Sequence, residues 1–367
     1  SSREPSRRCR NLPGMKEVFP DTARVSEEGH LVIGGCDAVD LADRFGTPVM
    51  VLDRATLEAR AKAFSSVLEP ARVHYAGKAL CCVAVLEVVR DLGLSLDVCT
   101  GGELATALAA DFPTERITFH GNNKSETELH MALDEGVGKI VVDSFDEIDR
   151  LASMDAAADL MVRVTPGVEA HTHEYVQTGQ EDSKFGFTLA EGVALEALRR
   201  ASSAARCTLR GIHAHIGSQI FELAAYDLAV QRLAAFLAEA KESFGFEASE
   251  LNLGGGLGIA HTHDEMTPDP SESVNRMLAA VDREFRSVGL PVPDVLVEPG
   301  RSLVGSSAVT LYRVGTVKNI PGVRTYVAVD GGMSDNLRPM LYGARYEAEI
   351  ADRFGGDSMC TVAGMHC

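Results

Sequence analysis

"KIVVDSFDEIDRLASMDAAADLMVRV", residues 139–164, holds two short apolar runs on either side of a stretch with helical spacing. The runs "KIVVD" (139–143) and "LMVRV" (160–164) are rich in β-branched residues, which is typical of buried strands. The stretch between them, "DEIDRLASMDAAADL", has the alanines and leucines of a helix. This order predicts two parallel strands joined by a crossover helix.

The same alternation of strand and helix patterns recurs along most of the chain. Eight strands alternating with helices over about 230 residues predict a TIM-type (β/α)8 barrel. An open doubly wound sheet has the same local pattern and remains the alternative. The strand candidates are 72–76, 94–98, 116–120, 139–143, 160–164, 209–215, 251–254 and 294–298.

The two ends of the chain have a different pattern. Residues 30–52 and 306–367 show the alternation and turn residues of antiparallel β-structure. We therefore expect a barrel over 51–305 and one β-domain built from 21–50 and 306–367. The basic, serine-rich beginning predicts a disordered tail over 1–20.

Composition excludes several classes of protein. The formal net charge of -18 argues against general binding to nucleic acid or anionic lipid. We find no apolar run near the roughly 20 residues of a membrane helix. The eight cysteines form neither a CxxC pair nor a disulfide framework, which predicts a reducing, cytoplasmic compartment.

Polar residues follow most of the predicted strands. The carboxyl ends of the strands in such a barrel form its active site. Each of these residues alone could be a helix cap or a turn, but together they predict one site. They are Lys78, Asp97 with "CTGGE", "HGNNKS" (120–125), "DS" (143–144), Arg163, His213 and His215, "GGGLG" (254–258), and "EPGR" (298–301).

Two of these stretches indicate a bound phosphate and a bound ring. Three glycines at 254–256, where the seventh strand meets its helix, would let free backbone N–H groups approach a phosphate. Glu298 ends a strand that reads as buried, and a carboxylate there could keep a pyridine nitrogen protonated. A tight turn and a surface Glu–Arg pair are the simpler explanations.

Three HxH pairs favour a different chemistry. His213 and His215 lie two apart on a strand and face the same side, a spacing that suits a metal ion. Further pairs occur at 171/173 and 261/263. A metal-dependent hydrolase on the same barrel is therefore an alternative, although it leaves "GGG" and "EPGR" unexplained.

The chain resembles the fold-type III pyridoxal-phosphate enzymes, the group of alanine racemase and the basic amino acid decarboxylases. Within that group it is most similar to the diaminopimelate decarboxylases, of the actinobacterial type. The stretches that carry the resemblance include "HYAGKAL", "LDVCTGGEL", "HAHIGSQI", "NLGGGLGI", "EPGR" and "VDGGMSDNLRPMLYGARY", in family order from about residue 72 to 346.

The resemblance implies pyridoxal 5'-phosphate as cofactor, no metal, and a homodimer with a shared active site. It implies Lys78 and Cys367 as catalytic residues, with Lys78 holding the cofactor aldehyde. Asp97, Glu103 and Arg163 would be supporting residues. Cofactor binding is implied for Lys78, His215, Ser218, Gly254, Gly255, Gly256, Glu298, Pro299, Gly300 and Arg301, and substrate binding for Arg301, Arg338 and Tyr342.

The implied reaction is decarboxylation of meso-diaminopimelate to L-lysine. Other substrates of the group, such as ornithine, lysine, arginine or carboxynorspermidine, remain alternatives, as does a non-catalytic paralogue. Arg338 with Tyr342 favours a substrate whose far end is a carboxylate. Family members continue beyond the cysteine that matches Cys367, so we expect the β-domain to be incomplete in this chain.

Overall fold

The structure is a computed structural model that describes residues 18–154, 156–168, 183–355 and 358–366. The chain divides into two compact units. A barrel unit contains Arg60–Gly258 and Pro268–Leu303. A second unit contains the described residues before Arg60, Ile259–Thr267, and those from Val304 onward.

The strands and helices are numbered in chain order. The strands are β1 (Arg24–Val25), β2 (Leu31–Ile33), β3 (Cys36–Asp37), β4 (Val49–Leu52), β5 (His74–Ala76), β6 (Ser95–Val98), β7 (Ile117–Phe119), β8 (Lys139–Val142), β9 (Ala158–Thr165), β10 (Phe187–Thr188), β11 (Cys207–His213), β12 (Glu250–Asn252), β13 (Asp294–Leu296), β14 (Ala308–Leu311), β15 (Val314–Ile320), β16 (Arg324–Val329) and β17 (Thr361–Ala363). The helices are α1 (Ala38–Phe45), α2 (Arg54–Ser65), α3 (Val83–Asp91), α4 (Gly101–Ala109), α5 (Glu126–Asp134), α6 (Phe145–Ser153), α7 (Val193–Ser203), α8 (Ala224–Phe244), α9 (Pro270–Ser287), α10 (Arg301–Val304) and α11 (Arg338–Tyr342).

Eight parallel strands form the barrel, in the order β5-β6-β7-β8-β9-β11-β12-β13. The first and last strands meet, because the His74 N–H donates to the Val297 carbonyl at 2.8 Å. The Ala76 N–H also donates to the Pro299 carbonyl at 3.1 Å. The predicted barrel is therefore confirmed, and the open sheet is wrong because these bonds join its two edges. The sequence did not predict β10, which pairs in parallel with the end of β9.

Short polar residues after the strands begin the next helices. Thr100, Ser125 and Ser144 are N-caps whose side chains accept the backbone N–H three residues on. Ser125 and Glu128 form a complete capping box at α5. Part of the polarity at the strand ends is therefore structural, and these residues are helix caps.

The second unit is mainly antiparallel β-structure. β1, β2 and β3 form one antiparallel sheet, and β4 pairs with β14, which joins the two ends of the chain. β15 and β16 are antiparallel, but β17 runs parallel to β16 after a long connection that contains α11. The predicted antiparallel pattern therefore fails at β17. Among the described residues, we find no helix both apolar and long enough to cross a membrane.

Candidate active site

Lys78 lies at the end of the first barrel strand. It occupies a 3₁₀ turn, Gly77–Ala79, directly after β5, and its side chain is exposed. Gly300, in the loop after β13, approaches this turn so closely that a Cβ there would lie 3.1 Å from the Cβ of Ala79. The lysine therefore stands beside the "EPGR" loop.

The glycines at 254–256 are required by close backbone contacts. A Cβ on Gly255 would lie 2.0 Å from the Glu298 carbonyl oxygen. A Cβ on Gly256 would lie 2.2 Å from the Gly217 carbonyl oxygen, and its φ of +109° also disfavours a side chain. No larger residue fits this turn without moving the backbone of a neighbouring loop.

Two N–H groups of the glycine turn already have partners. The Gly254 N–H donates to Asn252 Oδ1 at 2.9 Å, and the Gly255 N–H donates to His215 Nδ1 at 3.2 Å. The next helix, α9, begins only at Pro270. The expectation of free N–H groups therefore does not hold at Gly254 and Gly255, and the helix expected there begins well after the turn. What the glycines provide is close packing against the neighbouring loops.

A second loop is bound to the glycine turn. The Ile220 N–H donates to the Gly256 carbonyl, and the Gly258 N–H donates back to the Ile220 carbonyl, both at 2.9 Å. In the same loop, Ser218 Oγ accepts a hydrogen bond from Arg301 at 3.4 Å. Hydroxyl and guanidinium donors therefore meet beside the turn, which suits an anion.

Glu298 is a buried carboxylate held by three side chains. Asn252 donates to its Oε1 at 2.6 Å, and His120 Nε2 lies 3.1 Å from the same oxygen. His213 Nε2 lies 3.1 Å from Oε2. Burial alone would raise the pKa of Glu298, but these imidazoles outweigh it and hold the pKa well below its usual range. Glu298 is therefore an anion.

His215 has a different electrostatic environment. Burial lowers its pKa well below the usual histidine value, and the charges of Lys78 and Arg163 lower it further. The bond from the Gly255 N–H requires Nδ1 to be an acceptor. His215 is therefore a neutral imidazole with a fixed ring orientation.

The two histidines of the pair at 213/215 have different partners. His213 approaches a carboxylate, whereas His215 accepts from a backbone N–H. The pair at 171/173 lies outside the described residues. The pair at 261/263 belongs to the second unit.

Two of the supporting residues lie in the barrel interior. Arg163, in β9, is buried with Asp143 at 3.8 Å, and its guanidinium lies over the ring of Phe185 at 4.4 Å. Asp97, in β6, lies 3.3 Å from His74 Nδ1. Both belong to the polar interior of the barrel, near its carboxyl end.

Glu103 has a local role in this structure. Its carboxylate accepts the Cys99 N–H, and its own N–H donates to the capping hydroxyl of Thr100. These contacts close the first turn of α4. The structure therefore gives Glu103 a helix-capping role.

The remaining predicted residues lie elsewhere. Arg338 and Tyr342 belong to the second unit, on α11, with the guanidinium 5.4 Å from the tyrosine ring centre. Both side chains are half-buried. Cys367 lies outside the described residues.

Three residues of the site received no role from the sequence. His120 and Asn252 contact Glu298, and the Tyr226 hydroxyl donates to the Gly255 carbonyl at 2.8 Å. Asn252 is a polar residue in an apolar strand, and His120 begins "HGNNKS", so the sequence contained a signal that could have identified both. Tyr226 lies in the long helix α8, where nothing distinguishes it from the core.

The chain is similar to known decarboxylases along most of its length. Residues 54–305 match the family described as "Pyridoxal-dependent decarboxylase, pyridoxal binding domain". The diaminopimelate decarboxylase of Bacillus subtilis is 49% identical over 356 residues, covering 94% of this chain and 81% of the relative. That of Actinosynnema pretiosum is 48% identical over 343 residues, covering 93% and 77%. Identity therefore does not single out the actinobacterial type.

Solved structures agree with the sequence relatives. The crystal structure of diaminopimelate decarboxylase from M. jannaschii in complex with L-lysine has a TM-score of 0.86 and 29% identity, and the match covers 95% of this chain and 82% of that one. The enzyme from Helicobacter pylori, also with L-lysine, has a TM-score of 0.80 and 28% identity over 90% and 81%. These matches are to decarboxylases and do not favour the metal-dependent hydrolase. The chain belongs to the pyridoxal-dependent decarboxylases and, within them, to the diaminopimelate decarboxylase family.

Proposed function

We propose that this protein decarboxylates meso-diaminopimelate to L-lysine and CO2. The observation that carries the proposal is the meeting of a lysine, a glycine turn and a buried anionic carboxylate at one end of the barrel. This arrangement occurs in a chain that is 49% identical to a diaminopimelate decarboxylase.

The residues of the barrel fit pyridoxal 5'-phosphate. The glycine turn packs closely against the loops that carry Glu298 and Ser218, which places its backbone beside the donors proposed for the phosphate. We assign Gly254–Gly256, Ser218 and Arg301 to the phosphate, with Pro299 and Gly300 forming the adjoining loop. Lys78 would hold the aldehyde carbon, and His215 would lie against the ring.

The protein's own groups prepare the reaction. Bound cofactor supplies an electron sink for the electron pair that departing CO2 leaves on the substrate. Glu298, kept anionic in the interior, would hold a proton on the ring nitrogen of the bound cofactor. His215 stays neutral, so that it adds no charge against the ring. The exposed amine of Lys78 remains accessible to the incoming substrate.

The substrate proposal depends on cationic and phenolic groups. Arg301, Arg338 and Tyr342 would hold the substrate carboxylates. Guanidinium groups bind carboxylates with paired hydrogen bonds and repel a bare ammonium. A distal carboxylate is therefore favoured over the side chains of lysine or ornithine.

Domain boundaries, oligomeric state and compartment also belong to this proposal. Residues 21–50 and 306–367 form the β-domain, and 51–305 form the cofactor domain. The enzyme acts as a homodimer in the cytoplasm, with Cys367 of one subunit completing the site of the other. The spacing of the eight cysteines supports a reducing compartment.

Covalent attachment tests the cofactor. Purified protein incubated with pyridoxal phosphate should turn yellow, and borohydride reduction should fix the cofactor on the peptide that contains Lys78. Lys78→Ala should lose the adduct, whereas Lys62→Ala, on the exposed face of α2, should keep it. A colourless protein that instead retains zinc would refute the proposal.

A CO2-release assay tests the substrate. The candidates are meso-diaminopimelate, its LL isomer, lysine and ornithine at equal concentration. We expect kcat/KM to be highest for meso-diaminopimelate. Faster turnover of lysine or ornithine would leave the cofactor assignment standing and show the substrate assignment to be wrong.

A further inference from the structure

A row of buried ionisable side chains lies in the barrel interior next to Glu298. It contains His74 on β5, Asp97 on β6, His120 after β7 and His213 on β11. Each of these residues is between 1% and 8% exposed, as is Glu298. The proposed function uses only Glu298, so the burial of the other four ionisable side chains still needs an explanation.

His120 is the link between the two carboxylates. Its Nε2 lies 3.1 Å from Glu298 Oε1 and 3.6 Å from Asp97 Oδ1. Its ring meets the ring of His213 edge-on, with centres 4.8 Å apart. Because this edge packing restricts the ring, the imidazole is held with Nε2 close to both acids.

The two imidazoles beside Glu298 carry different charges. Burial lowers the pKa of both rings. At His120 the charges of Glu298 and Asp97 outweigh burial and raise its pKa to about 9, whereas the pKa of His213 stays lowered. His213 is then a neutral donor, and His120 is the cation.

The other nearby charges do not replace this cation. Arg163 also interacts with Glu298 through its charge, but its ion-pair partner is Asp143, 3.8 Å away. Lys78 is exposed at the mouth of the barrel. Asn252 donates to Glu298 but is neutral. A buried carboxylate without a counter-charge tends to take up a proton. His120 therefore supplies the positive charge that Glu298 needs.

We propose that His120 is a positioning residue whose imidazolium keeps the Glu298 carboxylate ionised and directs it toward the ring nitrogen of the cofactor. The inference rests on the cofactor site of the proposed function and is independent of which amino acid is decarboxylated. Asp97 lies near the same nitrogen, 3.6 Å from Nε2, and adds a second negative charge that stabilises the imidazolium.

Cofactor affinity gives the first test. The variants are His120→Leu, which removes the donor, and His120→Asn, which keeps a neutral donor. The control is His130→Asn, on the exposed face of α5. We expect pyridoxal phosphate to bind at least about ten-fold more weakly to His120→Leu, because the buried carboxylate loses its ion-pair partner, and the loss to be smaller in His120→Asn. Unchanged affinity in a folded His120→Leu would overturn the proposal.

Histidine NMR gives a second test that needs no catalysis. In holoenzyme labelled with ¹³C at histidine Cε1, the resonance missing from His120→Asn, or from His120→Gln if that variant folds better, identifies His120. We expect it to keep its imidazolium shift until the pH approaches 9. A transition at the ordinary histidine pKa of about 6.5 would overturn the proposal, whether or not His120→Leu folds.

The two tests separate this proposal from the proposed function. If the wild-type protein binds the cofactor but releases no CO2 from meso-diaminopimelate, the substrate assignment fails and the His120 results stand. If the wild-type protein binds no cofactor, the proposed function fails, and the NMR titration of the protein alone still decides whether His120 is the interior cation.

Discussion

Replacing Gly255 by alanine should damage the protein at the point where the glycine turn meets Glu298. The added Cβ would lie 2.0 Å from the Glu298 carbonyl oxygen and 2.9 Å from its carbonyl carbon. Real Cβ atoms essentially never approach another heavy atom within 3.0 Å, so the two loops must separate by about 1 Å. The same movement strains the hydrogen bond from the Glu298 N–H to the Gly254 carbonyl, now 2.8 Å long.

The size of the effect follows from which atoms must move. Overpacking a core costs roughly 1–3 kcal/mol when side chains can move aside. Here the obstacle is backbone, so we expect a loss of free energy of unfolding at the upper end, about 3 kcal/mol. Because the displaced backbone carries the carboxylate of Glu298, we also expect cofactor affinity to fall by at least about ten-fold.

Calorimetry and a cofactor titration measure the two effects. Gly102→Ala is the matched control, since its Cβ would meet only the Thr100 hydroxyl, at 3.8 Å, inside α4. That variant should be unchanged or more stable by about 0.5–1 kcal/mol, the usual gain for alanine in a helix. If Gly255→Ala matched the wild type in both thermal midpoint and affinity, the close approach of the two loops would not be a real constraint.

Three further changes probe other parts of the barrel. Lys124→Met leaves the buried Glu147 carboxylate, now 2.7 Å from the lysine, without its cation. This change should lower the free energy of unfolding by about 3–5 kcal/mol at pH 8. The loss should be smaller at pH 5, where Glu147, whose pKa is already raised by burial, takes up a proton. An equal loss of thermal stability at both pH values would contradict this. Tyr226→Phe removes the bond to the Gly255 carbonyl and should lower the free energy of unfolding by about 1 kcal/mol, measured by urea denaturation. The pKa of His120 is raised on folding from 6.5 to about 9, so the stability it adds over His120→Asn should be complete below pH 6.5 and disappear as the pH rises through 9. A urea series from pH 6 to 10 checks this, and a stability difference that grows with pH would refute it.

The barrel could be predicted because its signals are local. All eight strand candidates correspond to observed strands, with ends that differ by a few residues. A buried parallel strand must be apolar along its length, and a crossover needs a helix, so both leave a mark on a short stretch of sequence. The existence of β10 and the parallel direction of β17 were not predicted, because two or three residues carry no pattern of their own and each strand depends on its partner.

The sequence predicted which residues belong to the site better than it predicted the contacts between them. Lys78, the glycines and Glu298 stood out because each is unusual at a strand end. Glu103 stood out for the same reason, although its contacts are those of a helix cap. Local sequence does not distinguish a carboxylate that faces a ligand from one that closes a helix turn, since both follow a strand.

By itself, the sequence determined the eight-stranded barrel, the family and the positions that bear chemistry, because these depend on short-range patterning and on unusual residues in fixed order. The tertiary structure decided which of those groups lie close enough to set one another's protonation state. His120, Asp97 and Glu298 come from three separate strand ends and meet only when the sheet closes. Protonation of a buried group depends on its neighbours at 3–4 Å, and those distances exist only in the folded barrel.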